Sequence, residues 1–595
     1  MKADRRSETG TPPSITPPRE SAPAGASTPG PPVAPFATRT STPSFLGSQG
    51  HRWGLALLAV TTFTHFSALP LAHTDLWGHL AYGRFISQHG LPATEPLQRP
   101  GAGIPFVDTA WLAQWVAFQL SARLGWAALQ WGHALVLALG ALLLGTTALR
   151  LTAWRPALWL APAGWLLLAW SPWQVIRPQL LGVLLFLVLL WLLSNPPPGR
   201  SRPLLVGGLF ALWANLHGSF PIGLLALLTI GLERYFRSPT AVSPVAKAAA
   251  NTKTTASANS DQALVTANRA KLSPVALDLA AAVAGTLVNP WGVRLWPAVL
   301  SVAQHPNVAD LTEWQPLRWD RPQGAWLAGA LALLITLAAW RWFRHSGRMA
   351  TTATPPAEEC TRSAAASSPA SPELHAASSE QLHLLPAPLW PLLLTLLFTT
   401  ATCLSARYLV WTAATLPLAL VLMTRFRYSP VAGSPWPELR PAVCCLLLAL
   451  VSLSAPITRI WNGQPRAGTG EVVADTPLDE VAALQQFAHV CQGPVLAPLT
   501  WGDYLLWAAP PQLPPFTASH VHWLPRADWL DQLGMMRGDE AGWQTLHARG
   551  LTTALLQRQA QRRLIDRLEQ DPQWRLAWSN PDSVLFVKDA RPDRE

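Results

Sequence analysis

Apolar runs of near membrane-crossing length recur along the chain, separated by short breaks that carry Pro, Gly, Trp and single charges. Runs at 53–72, 126–150, 156–172, 179–194, 203–216, 219–236, 273–290, 325–343, 387–405, 407–425 and 441–457 approach the roughly 20 residues that cross about 30 Å of hydrocarbon. The stretch 109–122 is shorter and holds Trp111, Gln114 and Trp115, which predicts an amphipathic helix lying in the membrane interface. After residue 458 the pattern changes. Leu478–Val490 has helical spacing, Val495–Leu499, Thr552–Leu556 and Ser583–Lys588 read as strands, and Gln559–Gln570 reads as a charged helix. The expected fold is a polytopic α-helical membrane protein of about eleven spans with a small C-terminal α/β domain.

Composition supports this picture and gives it an orientation. Half of the 595 residues are hydrophobic and only 13% are charged, against about a quarter in soluble domains. The 31 Trp residues suit interfacial anchoring, where an indole keeps one edge wet. A formal charge of +11 raises nucleic-acid binding, but the basic excess sits in tails and inter-helix loops and excludes it. Lys247, Lys253, Arg269, Lys271, Arg344, Arg348, Arg425, Arg427 and Arg440 mark three connections as cytoplasmic. Two of these, 238–271 and 345–385, read as disordered. The first 50 residues, rich in Pro, Ser and Thr and without a signal-peptide core, read as a disordered cytoplasmic tail. The domain after 458 then lies outside the cell. Five cysteines (Cys360, Cys403, Cys444, Cys445, Cys491) show no CxxC spacing, so neither a disulfide framework nor a metal knuckle is indicated.

That topology assigns the polar residues at span ends to one side. The outer side receives Asp75, His79, Glu95 and Asp108 from the first loop, Arg177, Asn215 and His217, Asn289, Glu313 and Arg407. Arg177 and Arg407 run against the positive-inside tendency and are better explained by an anionic ligand. A carboxylate can take the proton of an acceptor hydroxyl, a guanidinium fork can hold a departing phosphate, and apolar spans can hold a lipid tail. Simpler roles stand beside these. Asp75 can cap the following helix, the arginines can reach lipid headgroups, and Asn289-Pro290-Trp291-Gly292 suits a turn. A metal set from His73, Asp75 and His79 is the further alternative.

The run Asp75-Leu-Trp-Gly-His-Leu-Ala-Tyr-Gly-Arg-Phe-Ile-Ser-Gln-His-Gly-Leu-Pro resembles the first outer loop of bacterial members of the GT-C superfamily of integral-membrane glycosyltransferases. That group includes protein O-mannosyltransferases, oligosaccharyltransferase catalytic subunits and lipid A sugar transferases. The order of parts over 50–457 is similar too, and the motif likeness covers 73–115. The resemblance implies Asp75 as base or acceptor-orienting residue. It also implies a polyprenyl-phosphate-linked sugar donor, a glycan, lipid or protein acceptor, and a bacterial inner-membrane location. Many members carry Asp-x-Asp or Glu-x-Asp, whereas position 73 here is His. No motif therefore supports a divalent metal, and no cofactor is expected. Trp501-Gly502-Asp503-Tyr504-Leu505 is similar to the Trp-Trp-Asp-Tyr-Gly signature of oligosaccharyltransferases at Trp501, Asp503 and Tyr504. The enzyme expectation is a glycosyltransferase in which Asp75, Arg177, His217 and Arg407 converge on one cavity. Its rivals are a transporter or flippase of lipid-linked glycans and a non-catalytic envelope-assembly protein.

Overall fold

Runs dominated by Leu and Ala become helices, since these side chains lose little rotamer freedom there. The computed structural model describes residues 49–71, 74–194, 201–237, 274–351, 388–424, 472 and 475–589. Most of the expected tail, the expected loop 238–271, the run at 441–457, His73 and Arg425, Arg427 and Arg440 lie outside the described residues. The helices are α1 (Gln49–Ser67), α2 (Thr74–His89), α3 (Trp111–Leu124), α4 (Trp126–Thr152), α5 (Ala157–Leu168), α6 (Gln179–Ser194), α7 (Ser201–Leu216) and α8 (Phe220–Arg237). They continue with α9 (Pro274–Thr286), α10 (Leu295–Gln304), α11 (Pro322–Thr351), α12 (Trp390–Leu404) and α13 (Leu409–Met423).

Three described stretches are long and apolar enough to cross a membrane: Trp126–Thr152, Pro322–Phe343 and Ala406–Met423. Shorter apolar helices accompany them, α5, α6, α9 and α12 among them. On α11, Leu333, Ile335, Trp342 and Phe343 are exposed, as expected of a helix turned to hydrocarbon. The helical core gathers Trp165, Phe186, Trp213, Phe398 and Trp411, with Phe186 edge-on to Trp411 at 5.4 Å. Two expectations shift. The run 156–172 is divided into α5 and a separate 3-10 turn at Pro172–Gln174. The stretch 345–385, expected to be disordered, begins as helix, because α11 continues to Thr351.

The C-terminal segment comprises α14 (Leu478–Gln486), β1 (Val495–Leu496), α15 (Leu499–Ala508), α16 (Arg526–Arg537), α17 (Glu540–Ala548), β2 (Thr553–Gln557), α18 (Arg562–Gln570), β3 (Trp574–Ser579) and β4 (Ser583–Lys588). They form a four-stranded sheet in the order β1-β2-β4-β3. β1 runs parallel to β2, and β4 is antiparallel to both of its neighbours. β1 stops short of the expected Leu499 because α15 begins there, after Pro498. β3 was not expected. Its Trp-Arg-Leu-Ala-Trp-Ser has no β-branched residue, and pairing with β4 overrides the weak local preference.

This segment is built onto the helical part rather than tethered beside it. Val472 pairs with Leu71 in an isolated parallel bridge. The Asn307 amide donates to the carbonyls of Val521 and Leu524, at 2.9 Å each. Asp310 accepts from Arg526 at 2.6 Å and from the Trp529 indole at 2.8 Å. The described residues accordingly form one compact unit.

Candidate functional site

Asp75 lies in the first turn of α2, where unpaired backbone N–H groups and the helix dipole favour a carboxylate. Its Oδ2 pairs with the Nε of Arg177 at 2.9 Å. Arg177 precedes Pro178, which fixes the strand-like approach to α6. Its Nη1 reaches Oε2 of Glu313 at 2.5 Å. Glu313 sits in the 3-10 turn Thr312–Trp314, and its other oxygen pairs with Arg407 of the turn Ala406–Tyr408. The Ala406 N–H donates to the Gln315 carbonyl at 2.9 Å, tying the two turns together. Trp314 supports Arg407 from below, its ring 4.8 Å from the guanidinium carbon. The result is an alternating chain, Asp75–Arg177–Glu313–Arg407. Burial opposes the Glu313 charge, but Arg407 and Arg177 outweigh it and hold the carboxyl below its usual range. Arg177 is likewise held above its usual value by Asp75 and Glu313 against the effect of burial.

These four side chains line one cavity of about 1440 Å³, shared with His79, Asp108, His217, Trp501, Tyr504, His520 and His522. Its floor comes from helix ends and its roof from the C-terminal segment. Asp75, Arg177, His217 and Arg407, drawn from separate regions of the chain, converge there as expected. The imidazoles are uncharged at neutral pH. Burial, helped by the arginines, brings His79 and His217 to about 3. Burial, then His79, brings His520 to about 3. His522 is lowered as well, first by burial and then by His520. The His217 Nδ1 accepts the Ser219 N–H at 3.2 Å, which leaves its proton on Nε2.

Asp503 stands behind the wall. It is fully buried, accepts the Ser519 N–H at 3.1 Å on Oδ1, and its Oδ2 has no hydrogen-bond partner among the described residues. Burial, then the neighbouring Asp75 charge, raises it to about 8, so it holds a proton at neutral pH. α15 reaches α2 this closely only because residue 78 is Gly: a Cβ there would lie 2.6 Å from Asp503 Oδ1. Tyr504 meets Trp77 edge-on at 5.0 Å, and Trp501 is buried in the core of the C-terminal segment.

Besides Asp503, the structure separates two further expected substrate contacts, Glu95 and Asn215, from the cavity lining. Glu95 closes the loop between α2 and α3, accepting from Leu97 N at 2.7 Å, Gln98 N at 3.0 Å and the Tyr82 hydroxyl at 2.9 Å. Asn215 accepts from the Trp111 indole at 3.0 Å and donates to Ala211 and Val288 carbonyls, binding α3, α7 and the end of α9 together. Asn289 serves its turn, accepting from Trp291 N at 2.8 Å. Conversely, His520 and His522 were not singled out from the sequence. A His-x-His-Trp run in a chain with 15 His was the available signal. Among the described residues no group of three or more His, Cys, Asp or Glu stands in a metal-holding arrangement.

No family model matches the chain, and no curated protein matches it. Among solved structures the chain is similar to the crystal structure of ArnT from Cupriavidus metallidurans bound to undecaprenyl phosphate. The identity is 12% and the TM-score 0.36, over 91% of this chain and 98% of that one.

Proposed function

We propose that the chain is a membrane glycosyltransferase of the GT-C type, moving a sugar from a polyprenyl-phosphate carrier to a cell-envelope acceptor. The carrying observation is the Asp75–Arg177–Glu313–Arg407 chain on the wall of one deep cavity. In this proposal the cavity faces outward from a bacterial inner membrane, with about eleven spans and a cytoplasmic N-terminus.

The chemistry follows from the geometry. Asp75 accepts the proton of the acceptor hydroxyl as its oxygen attacks the anomeric carbon. The bond from that carbon to the phosphate oxygen breaks, and the phosphate leaves with the electron pair. Arg177 and Arg407 take up the developing charge, for which planar forks are well suited. Because Arg177 also grips Asp75 at 2.9 Å, base and phosphate site are held in fixed register, an ordering that supplies part of the rate. The uncharged imidazoles and Tyr504 offer hydrogen bonds and an aromatic surface to sugar rings. The polar groups cluster at helix ends and turns, an arrangement that supports transfer over transport.

The test is transfer from purified lipid-linked sugars to candidate acceptors, comparing wild type with Asp75→Asn. A loss of about a hundredfold or more is expected. Equal transfer by the variant would remove Asp75 from the base role. Failure of wild type with every donor would favour a transporter.

A further inference from the structure

Asp75 and His79 are four residues apart on α2, so they stack one turn apart on the same face, and both line the cavity. The His79 Nδ1 lies 3.2 Å from the Nε2 of Gln114 on α3. An amide nitrogen donates and does not accept, so Nδ1 carries the lone pair and the ring proton resides on Nε2. The Gln114 side chain also lies beside the Asp108 carboxyl and favours its charged form. Above about pH 7, where Asp108 is ionised, turning the amide over would bring its oxygen against that carboxylate. Asp108 is anchored in turn by the Ala110 N–H at 2.8 Å, and both Asp108 and Gln114 are buried.

The backbone enforces the same register. α2 crosses α3 at Gly83, where a Cβ would fall 2.2 Å from the Gln114 carbonyl oxygen. His520 meets the His79 ring at right angles, 5.0 Å between centroids, and itself lies parallel to Trp523. The imidazole therefore has a partner on Nδ1 and a packed neighbour, with its other nitrogen available to a ligand.

We propose that Asp108 and Gln114 are positioning residues that lock His79 in its Nε2–H tautomer, making it an uncharged hydrogen-bond donor to a substrate oxygen one helical turn from Asp75. The identity of that substrate rests on the proposed function; the tautomer does not. The neutral state matters chemically. An imidazolium in this place would add a second cation beside Asp75, which already pairs with Arg177, and weaken it further as a proton acceptor, whereas a neutral N–H holds an oxygen without that effect. No proton leaves His79, so Asp75 remains the group that takes the acceptor's proton.

The test uses the full chain, labelled with 15N-histidine and reconstituted in liposomes near pH 8. Solid-state 15N spectra read the tautomer, and the signal missing from His79→Gln identifies the residue. Wild type is expected to show a protonated Nε2 and a bare Nδ1. Gln114→Glu, which replaces a donor by an acceptor, is expected to move the proton to Nδ1 and to lower kcat about tenfold with little change in KM. Should that variant not fold, Gln114→Leu is read instead, with a mixture of tautomers expected. A wild-type His79 that is cationic or protonated on Nδ1 overturns the proposal, as does an unchanged tautomer in the folded variant. The spectra need no substrate, so a protein inactive with every donor would refute the proposed function and leave this result standing.

Discussion

Glu313 occupies both guanidiniums that the proposed function assigns to the donor phosphate, so replacing it by Gln has a definite expected sign. One carboxylate oxygen lies 2.5 Å from Arg177 and the other pairs with Arg407. With Asp75 the ion-paired chain holds two anions against two cations, and an arriving phosphate must crowd or displace Glu313. Two unit charges about 4 Å apart repel by about 4 kcal/mol at an effective dielectric constant of about 20. The Glu313 side chain is 30% exposed, and solvent screening brings that down to about 1–2 kcal/mol, or about tenfold in affinity. A glutamine at this position would keep the shape and one accepting oxygen. Glu313→Gln should therefore bind polyprenyl phosphate about tenfold more tightly, while losing thermal stability because two partly buried guanidiniums share one fewer anion. Tryptophan fluorescence is a suitable assay, since Trp314 lies against Arg407 and should report a ligand that draws that guanidinium away. Arg407→Gln supplies the opposite control, with weaker binding. Weaker binding by Glu313→Gln would refute the competition and make Glu313 a direct ligand of some hydroxyl or cationic group.

Three further outcomes are expected. Asp503 has a folded value near 8 against 3.8 when unfolded. Below the unfolded value both states hold the proton. As pH rises towards 8 only the folded state keeps it, and stability falls by roughly 1.4 kcal/mol per pH unit. Asp108, raised by burial to about 7, acts in the same direction, and the four neutral histidines act in the opposite one below pH 6.5. The difference from wild type therefore isolates Asp503: Asp503→Asn should gain Tm relative to wild type as pH rises from 5 to 8, and a pH-independent difference would contradict the assignment. Arg177→Lys keeps the charge but cannot span Asp75 and Glu313 together, so kcat/KM should drop about tenfold to a hundredfold, and near-wild-type kinetics would argue against a bridging role. Gly83→Ala places a methyl group on the Gln114 backbone, should cost about 1–3 kcal/mol, and should lower Tm more than Gly132→Ala, whose added Cβ meets nothing.

What could be read in advance was decided by the range over which each signal acts. Apolar runs announce helices locally, and α6 falls on the expected 179–194. Assigning span ends to one side then brought Asp75, Arg177, His217 and Arg407 to one cavity, because topology is a global property that hydropathy records. Side-chain direction within a loop is not recorded in that way. Glu95 and Asn215 stand near helix ends, yet turn into loop closure and helix packing. The same limit hid Gln114 as a partner of His79, since the Gly83 approach of α2 to α3 depends on a backbone crossing with no periodic signature. It also hid His520 and His522, which reach the Asp75 cavity only through folding across more than four hundred residues.

The docking of α15 on α2 at Gly78 has a temporal consequence. A ribosome that has released α1 to α13 has already made Asp75, Arg177, Glu313 and Arg407, but not the chain that covers them. The cavity gains His520, His522 and Trp501 only when the final portion emerges and pairs Val472 with Leu71. Chains cut short by proteolysis or early termination would thus carry the Asp75–Arg177–Glu313–Arg407 chain without its cover. The fold defers assembly of its site until the segment after α13 has been made.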